Sequence, residues 1–328
     1  MEGSKLIGVS PEQCAPLAIV SRSGVDESVH FGALVALKPN GDVSFSVGDP
    51  HIAVYPRSST KPFQALAMVR HGLTLPPEQL ALVCASHNGE SIHRETALKI
   101  LRGAGLSDDA LLNTVDYPLH VPSAHEAIRR GDAKSSLQMN CSGKHSGMLA
   151  TCVQNGWPLE SYLDQHHPLQ VAITETIAET TQREPLAIGI DGCGAPAHVV
   201  ELLGLAKAMR AIAVGDAGAA GTQVFNAMSQ HPYVIGGDGR HVTTIVSHVP
   251  GLFAKDGAES VYVAATQDGH AVALKLSDGS GRATPTVLLA ALRRLGVDVS
   301  AVPETMREVV LGHGKTVGEV RAVGIEEA

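Results

Sequence analysis

The sequence predicts an α+β protein in which both ends of the chain contribute strands to one antiparallel sheet, with a helical region inserted between them. β-type patterns occupy residues 17–47 and return at residues 242–276, and apolar residues recur at helical spacing between 60 and 228. This order differs from the alternation of strand and helix that builds a parallel sheet. A single sheet shared by the two chain ends is therefore the simplest architecture for these patterns.

No linker, repeat or low-complexity tract divides the chain, so we predict a single domain over residues 1–328. Its sheet part is expected near residues 15–57 and 240–328, and its helical part near residues 58–239. The junction between two such parts is a common place for a small-molecule site.

The individual elements follow from turn signals and from the spacing of apolar residues. The N-terminal strands are predicted at 17–20, 28–37 and 43–47. The first helix begins near Thr60, because Pro62 is tolerated within a first helical turn. Further helices are predicted, in chain order, at 76–84, 91–103, 123–130, 144–153, 168–180, 198–212 and 218–228.

The C-terminal part returns to strand patterns and ends in one helix. Its strands are predicted at 242–249, 251–254, 260–265 and 271–276. Gln267-Asp268-Gly269 forms the hairpin turn between the last two strands. A helix over 285–295 is apolar around most of its surface, so we expect it to pack on the sheet. Beyond Gly296 the chain becomes polar and less patterned.

Composition limits the classes of function. The chain of 328 residues is 44% hydrophobic and 18% charged, which suits a globular protein with a large core. A net charge of −8 and the lack of a basic cluster argue against nucleic acid as a partner. No apolar run could span a bilayer, and residues 1–13 lack the pattern of a secretory signal. Five cysteines, an odd number, then favour reduced thiols and a cytoplasmic location.

Ser58 and Lys61 form the pattern S-x-x-K where the first helix begins. At positions i and i+3 the two side chains lie on one face of a helical turn. A serine hydroxyl becomes a nucleophile when a neighbouring amine accepts its proton, and nearby positive charge such as that of Arg57 favours the neutral amine. The alternative is that these residues only cap the helix.

The order of the predicted elements supports the first interpretation. Strands, an S-x-x-K helix, a helical insert, further strands and a final helix follow one another here as they do in serine β-lactamases and penicillin-binding proteins. This analogy of layout predicts a serine β-lactamase-like fold with Ser58 at the junction of its two parts.

Ser86 is the candidate for a second hydroxyl that relays protons between two lysines. Ser86 and Asn88 lie in the segment 84–90, whose small and polar residues form a tight turn that presents them to a cleft. The same residues are equally consistent with turn formation alone.

Lys255 is the candidate for the second lysine. In the β-lactamase-like layout, the strand at the edge of the cleft carries a lysine with a glycine two residues later, as Lys255 and Gly257 do. The lysine places positive charge beside the nucleophile, and the glycine lets the substrate approach the strand. A charged hairpin turn is the alternative. Lys275 also precedes a turn, but it resembles a surface residue at the end of a strand.

Two glycine-rich segments each carry one cysteine. Cys141 and Lys144 stand at i and i+3 where a helix begins, and Asp191-Gly192-Cys193 follows the end of a strand. Two thiolates and a nitrogen donor such as Lys144 or His145 would fill three positions of a tetrahedral zinc site. From spacing alone, burial of both cysteines as small hydrophobic residues is the favoured alternative.

Five motifs in order resemble those of the rhizobial-type (class 3) L-asparaginases, a family with a serine β-lactamase-like fold. The motifs are Arg57-Ser58-Ser59-Thr60-Lys61-Pro62, Ala85-Ser86-His87-Asn88-Gly89-Glu90, Asn140-Cys141-Ser142-Gly143-Lys144-His145, Asp191-Gly192-Cys193-Gly194 and Ala254-Lys255-Asp256-Gly257-Ala258-Glu259. The resemblance runs from about Ser21 to Leu295. It departs from the expected pattern at Ser260, where a glycine is expected.

The resemblance implies hydrolysis of L-asparagine to L-aspartate and ammonia by a homodimer. It implies two pairs of hydroxyl and lysine, Ser58 with Lys61 and Ser86 with Lys255. Zinc is expected on Cys141, Lys144 and Cys193, which reverses the interpretation from spacing. The substrate-binding residues are expected to be Arg57, Asn88, Asp191 and Gly192. Arg57 is the candidate for the α-carboxylate of the substrate and Asp191 for its α-ammonium group.

Three alternatives remain open at this point. A glutaminase of the same fold would act on a substrate longer by one methylene, a difference worth only about 1–3 kcal/mol in a pocket. A penicillin-recognising enzyme would leave the cysteine and lysine cluster unexplained. A non-catalytic zinc-binding homologue would not need the serines and lysines.

Overall fold

The computed structural model describes residues 8–325, which form two antiparallel sheets and a layer of helices. The strands are β1 (Ala15–Arg22), β2 (Val25–Leu37), β3 (Val43–Val47), β4 (Ala53–Val54), β5 (Ala187–Ile190), β6 (Pro196–Glu201), β7 (Leu252–Gly257), β8 (Val261–Thr266), β9 (Ala271–Leu276), β10 (Val309–Gly312) and β11 (Lys315–Ala322). The helices are α1 (Lys61–Arg70), α2 (Pro77–Val83), α3 (Ser91–Gly103), α4 (Val121–Arg130), α5 (Ser142–Asn155), α6 (Pro168–Thr181), α7 (Leu202–Ala213), α8 (Gly218–Gln230), α9 (Pro232–Ile235), α10 (His241–His248) and α11 (Thr284–Arg294).

The large sheet joins the two ends of the chain. Its strands are ordered β10-β11-β1-β2-β9-β8-β7, and β3 pairs with β2 beside this path. β2 comes from the N-terminal part and β9 from the C-terminal part, and they pair with Leu34 opposite Leu274. All pairings in this sheet are antiparallel. The strand order confirms the predicted α+β layout, that of a serine β-lactamase-like fold.

Helices cover the middle of this sheet. Every residue of β8 and β9 is buried, so these strands have apolar neighbours on both faces. α7 and α11 supply them by packing against β8 and β9. The prediction that the last helix packs on the sheet is thus confirmed. A small sheet, ordered β4-β6-β5, joins the residues before α1 to those between α6 and α7.

Two predicted elements are wrong. Residues 242–249, predicted as a strand, form helix α10. Val242, Ile245, Val246 and Val249 are buried at helical spacing, and their β-branched side chains mask this period. The helix predicted over 198–212 begins only at Leu202, because the preceding residues form β6 and pair with both β4 and β5.

The stretch beyond Gly296, which carries little pattern in the sequence, contains two further strands. β10 and β11 form a hairpin there, and β11 pairs with β1, with Val320 opposite Val20. Most residues of this hairpin are at least partly exposed, so they lack the apolar alternation that marks a strand. Whether the whole chain folds as one domain stays a prediction. Within residues 8–325 no helix is both long and apolar enough to cross a membrane.

Candidate functional site

Ser58 and Lys61 lie where the helical region meets the edge of the large sheet. Arg57–Thr60 form a single 3₁₀-helical turn that leads into α1 at Lys61. Side chains three residues apart eclipse one another in a 3₁₀ helix, so Ser58 and Lys61 share one face. Both are buried, with 9% and 1% of their surface exposed. Arg57 has a φ of 54°, a strained value for a residue with a side chain, of the kind that clusters at functional sites.

The Lys61 amine is bound by neighbours other than Ser58. Its Nζ donates to the carbonyl oxygen of Ala85 at 2.5 Å and lies 3.2 Å from the sulfur of Cys141. Among residues 8–325, no hydrogen bond joins this amine to the Ser58 hydroxyl. Catalytic hydrogen bonds often form only when substrate is bound, so the pairing stays a prediction. The structure does bring Lys61 next to the loop that carries Ser86.

Ser86 lies in the loop between α2 and α3 and is held on three sides. Its hydroxyl accepts a hydrogen bond from the side-chain amide of Asn140 at 3.0 Å. Its backbone N–H donates to the carbonyl oxygen of Ile235, and its own carbonyl oxygen accepts from Arg240 at 3.1 Å. Ser86 is 6% exposed. The loop is therefore fixed by long-range contacts and not by turn formation alone.

Lys255 lies on β7, the last strand at one edge of the large sheet, and its side chain is fully buried. Its Nζ donates to the carboxylate of Asp256 at 2.6 Å. Burial lowers the pKa of Lys255 to about 8; Asp256 acts in the opposite direction, and the charge of Lys61 adds to the lowering. A lysine with such a pKa is about one-tenth neutral at pH 7, far more than an exposed lysine, and the neutral amine can accept a proton. The alternative of a charged hairpin turn is wrong, because Lys255 stands within the strand.

Close packing ties this strand to the Ser58 turn. The hydroxyl of Ser59 donates to the carbonyl oxygen of Lys255 at 3.2 Å. A Cβ atom added to Gly257 would come within 2.3 Å of the carbonyl oxygen of Pro56. Glycine is therefore required for this approach, although the contact is with the protein and not with a substrate. Through it, Ser58, Lys61 and Lys255 converge on one junction.

Arg57 and Asp191, the two candidates for the charged groups of the substrate, bind each other. The guanidinium Nε donates to the Asp191 carboxylate at 2.7 Å, and the side chains are 28% and 15% exposed. The backbone N–H of Gly192 donates to the same carboxylate oxygen at 2.8 Å. Asn88 is buried, and its side-chain amide donates to the carbonyl oxygen of Asp238 at 2.8 Å. The structure thus groups Arg57, Asp191 and Gly192, whereas Asn88 lies beside the Ser86 loop.

Cys141, Lys144 and Cys193 converge although they come from separate segments. Cys141 caps α5, whose first turn carries Lys144, and Cys193 follows β5. The two cysteines form a small cluster apart from the main core, and Lys144 Nζ lies 3.1 Å from the Cys193 sulfur. Lys144 is 2% exposed.

The charges in this cluster suit a metal ligand set. A hydrogen bond from the Cys141 thiol, together with the Lys144 ammonium, lowers the pKa of Cys193. The same hydrogen bond and burial raise the pKa of Cys141. Two sulfurs and one nitrogen within contact distance fit three positions of a zinc site, provided that the amine loses its proton. No group of three or more His, Cys, Asp or Glu side chains in residues 8–325 could hold a metal ion, so the set needs Lys144.

Arg240 and Asp256 are the residues that sequence reasoning missed. Arg240 donates to the carboxylate of Asp256 at 2.6 Å as well as to the carbonyl oxygen of Ser86, so it joins the two candidate catalytic segments. Burial favours protonation of Asp256, but the charges of Lys255 and Arg240 outweigh it and lower the pKa of Asp256. The glycine-rich run before Arg240 indicates a loop that could form part of a site. The incorrect strand prediction over 242–249 obscured it.

Comparisons with known proteins give the family of the chain and a set of similar solved structures. A family model described as L-asparaginase II matches residues 18–322. None of the curated proteins compared with the chain matches it. Solved structures with a similar fold include a β-lactamase from Mycobacterium bovis, at 14% identity and a TM-score of 0.38, over 80% of this chain and 94% of that one. They also include a Bacillus glutaminase, at 12% identity and a TM-score of 0.39, over 82% of this chain and 92% of that one. Similarity at this level carries no argument about function.

Proposed function

This chain belongs to the L-asparaginase II family, and we propose that it hydrolyses L-asparagine to L-aspartate and ammonia by Ser/Lys nucleophilic catalysis. The family supports an amidohydrolase. The observation that carries the finer proposal is the convergence of two buried lysines, Lys61 and Lys255, on the junction that holds Ser58 and Ser86. Buried amines near one another favour the neutral form of at least one of them, as a general base requires.

In the proposed first half-reaction, the Ser58 hydroxyl loses its proton to the Lys61 amine, directly or through Ser86. The Ser58 oxygen then forms a bond to the side-chain amide carbon, whose carbonyl oxygen becomes an oxyanion held by backbone N–H groups. The carbon–nitrogen bond breaks, and the proton returned by the lysine lets ammonia leave. An aspartyl ester of Ser58 remains.

In the second half-reaction, water attacks the ester carbon while the same base accepts a proton from it. The bond to the Ser58 oxygen breaks, the serine recovers its proton, and L-aspartate leaves. Lys255 would serve Ser86 in the proton relay, because its lowered pKa of about 8 allows it to gain and lose a proton near neutral pH.

Substrate recognition is proposed to use the Arg57 and Asp191 pair. Each side chain is already held by the other, so a zwitterionic substrate would place its α-carboxylate toward the guanidinium and its α-ammonium toward the carboxylate. Gly192 holds Asp191 in place, and Asn88 would contact the substrate from the Ser86 loop. Assembly as a homodimer and a cytoplasmic location stay predictions.

Zinc is proposed as the cofactor, held by Cys141, Lys144 and Cys193. When bound, the ion would supply a fixed positive charge that tunes substrate recognition beside Asp191. This cluster lies next to the proposed catalytic lysine, because the Lys61 amine is 3.2 Å from the Cys141 sulfur. The chain's own role is to hold two sulfurs and one amine in a buried position.

The test is ammonia release from L-asparagine and from L-glutamine by the wild type and by Ser58→Ala. We expect turnover of L-asparagine to fall by at least about 10³-fold in Ser58→Ala, as for loss of a nucleophile. Ser229→Ala is the matched control and should keep activity, because the Ser229 hydroxyl only donates to a carbonyl oxygen within α8. Preference for L-glutamine would favour the glutaminase alternative. Absence of turnover with either amide would contradict the proposal and favour a non-catalytic zinc-binding protein.

A further inference from the structure

A polar cavity lies beside the edge strand β7, next to Asp256. Its volume is about 250 Å³, and Asp256, Ser260 and Tyr262 are among the residues that line it. Successive side chains of a strand point to opposite faces, and Asp256 stands directly opposite Tyr262 on β8. Asp256 and Tyr262 therefore lie side by side at the cavity, and the Asp256 carboxylate also accepts a hydrogen bond from the candidate catalytic lysine, Lys255, at 2.6 Å.

Two buried hydroxyls in this cavity lack partners. The side-chain oxygens of Ser260 and Tyr262 form no hydrogen bond with any of residues 8–325, yet these residues are only 3% and 1% exposed. Buried polar groups are nearly always hydrogen-bonded, so each unpaired one calls for an explanation. Burial raises the pKa of Tyr262, and the negative charge of Asp256 adds to the rise, so its hydroxyl stays protonated and can donate.

The backbone at Ser260 is strained. Glu259 and Ser260 both have a φ of 59°, in the left-handed region that favours glycine. Ser260 is also the position at which a glycine is expected from the family resemblance. The chain therefore tolerates an unfavourable conformation and a buried hydroxyl at the same residue, which is the pattern of a retained binding contact.

The charges around the cavity favour an anion. Arg240 and Arg282 line it together with Asp256, whose carboxylate is already bonded to Arg240 and Lys255. Arg282 forms no ion pair with any carboxylate of residues 8–325. His241, also in the wall, is paired with Glu308 at 3.2 Å. Two guanidinium groups and two hydroxyl side chains thus line a cavity that holds one carboxylate, that of Asp256, which already accepts hydrogen bonds from Arg240 and Lys255.

We propose that this cavity binds a small oxyanion, a phosphate or a carboxylate, with Ser260 and Tyr262 as hydrogen-bond donors and the two arginines as its countercharge. Guanidinium groups and hydroxyls are the usual partners of such oxygens. A cation would be repelled by the two guanidinium groups in the wall, and an apolar ligand would leave the hydroxyls unpaired. Because Arg240 also holds Ser86 and Asp256, the bound anion would contact a group that joins both candidate catalytic segments.

The test measures binding and needs no turnover, so its failure is distinct from failure of the proposed function. The thermal midpoint of unfolding is followed in sodium phosphate, sodium acetate and sodium chloride at equal ionic strength, and calorimetry gives the Kd for the effective anion. Because phosphate stabilises folded proteins generally, we expect phosphate or acetate, relative to chloride, to stabilise the wild type more than the cavity variants, and the salt that shows this difference identifies the ligand class.

Tyr262→Phe removes one donor without adding volume. We expect it to weaken anion binding at least about tenfold while being as stable as the wild type, or more so, in chloride, because an unpaired buried hydroxyl is lost. Ser260→Gly relieves the backbone strain and should weaken binding in the same way. Tyr117→Phe is the control that keeps binding, because the Tyr117 hydroxyl donates to the backbone carbonyl oxygen of Asp132, outside the cavity. Equal unfolding midpoints of the wild type in all three salts, or undiminished binding in both cavity variants, would overturn the proposal.

Discussion

Lys255 shows how far the chemistry of one residue depends on its surroundings. An exposed lysine is almost fully protonated at neutral pH, whereas burial lowers the pKa of Lys255 to about 8. The negative charge of Asp256 limits this lowering of the pKa, and Arg240 donates a hydrogen bond to the same carboxylate at 2.6 Å. Burial therefore sets the direction of the pKa shift of Lys255, and the neighbouring aspartate, which accepts a hydrogen bond from its amine at 2.6 Å, limits that shift.

This arrangement predicts the pH dependence of activity. If Lys255 must be neutral to accept a proton, kcat/KM should rise as the pH increases through about 8. Asp256→Asn removes a charge that raises the pKa of Lys255, so the rising limb should move to lower pH. Initial rates of ammonia release over a pH range of about 6 to 10 check this. Asp268→Asn, a substitution on the turn after β8, is the control and should leave the pH profile unchanged. A rising limb of the kcat/KM profile that stays in place or moves to higher pH in Asp256→Asn would contradict the assignment.

At the scale of elements, the site depends on the contact between β7 and the 3₁₀ turn Arg57–Thr60. Gly257 has a φ of −120°, which any residue can adopt, so backbone strain does not require glycine there. The requirement is steric, because the carbonyl oxygen of Pro56 occupies the space of a Cβ atom. The spacing between strand and turn sets the distance between Lys255 and Ser58.

Gly257→Ala should therefore push these two elements apart. We expect a loss of about 1–3 kcal/mol in the free energy of unfolding, as for other overpacked sites, together with a lower kcat. Urea unfolding and steady-state kinetics measure the two effects. Gly103→Ala provides the comparison, since a Cβ atom there would meet nothing within 4 Å. Equal stability and activity of Gly257→Ala and the wild type would show that the contact is not needed.

At the scale of the whole molecule, the fold joins segments that are far apart in sequence. The large sheet pairs β1 with β11, and the cysteine cluster joins the start of α5 to the loop after β5. The remaining buried cysteines, such as Cys152, belong to the main apolar core. A zinc site at Cys141 and Cys193 would therefore stabilise a contact between separate parts of the helical region.

Zinc binding provides the test at this scale. We expect the wild type to bind about one zinc ion per chain, and Cys193→Ala to lose it, because two remaining ligands hold zinc weakly. Metal analysis after dialysis and competition with a chromophoric chelator measure the content and the affinity. Cys152→Ala removes an equally buried thiol outside the cluster and should retain zinc. Equal affinity in Cys193→Ala and the wild type would exclude this ligand set.

The sequence by itself determined the features that depend on neighbours along the chain. Ser58 and Lys61 share one helical turn, and β2, β8 and β9 follow from short runs rich in apolar and β-branched residues bounded by turn signals. The resemblance to the asparaginase family rests on short ordered motifs, and the family match confirms it.

Tertiary structure decided the features that join distant segments. Arg240 bonds to Ser86 and to Asp256, contacts that no local spacing indicates, and the helix that follows it was mistaken for a strand. The lowered pKa of Lys255 and the convergence of Cys141 with Cys193 likewise depend on burial. Local spacing sets which side chains share a turn or a strand face, whereas burial and charge contacts arise only when separate elements pack together.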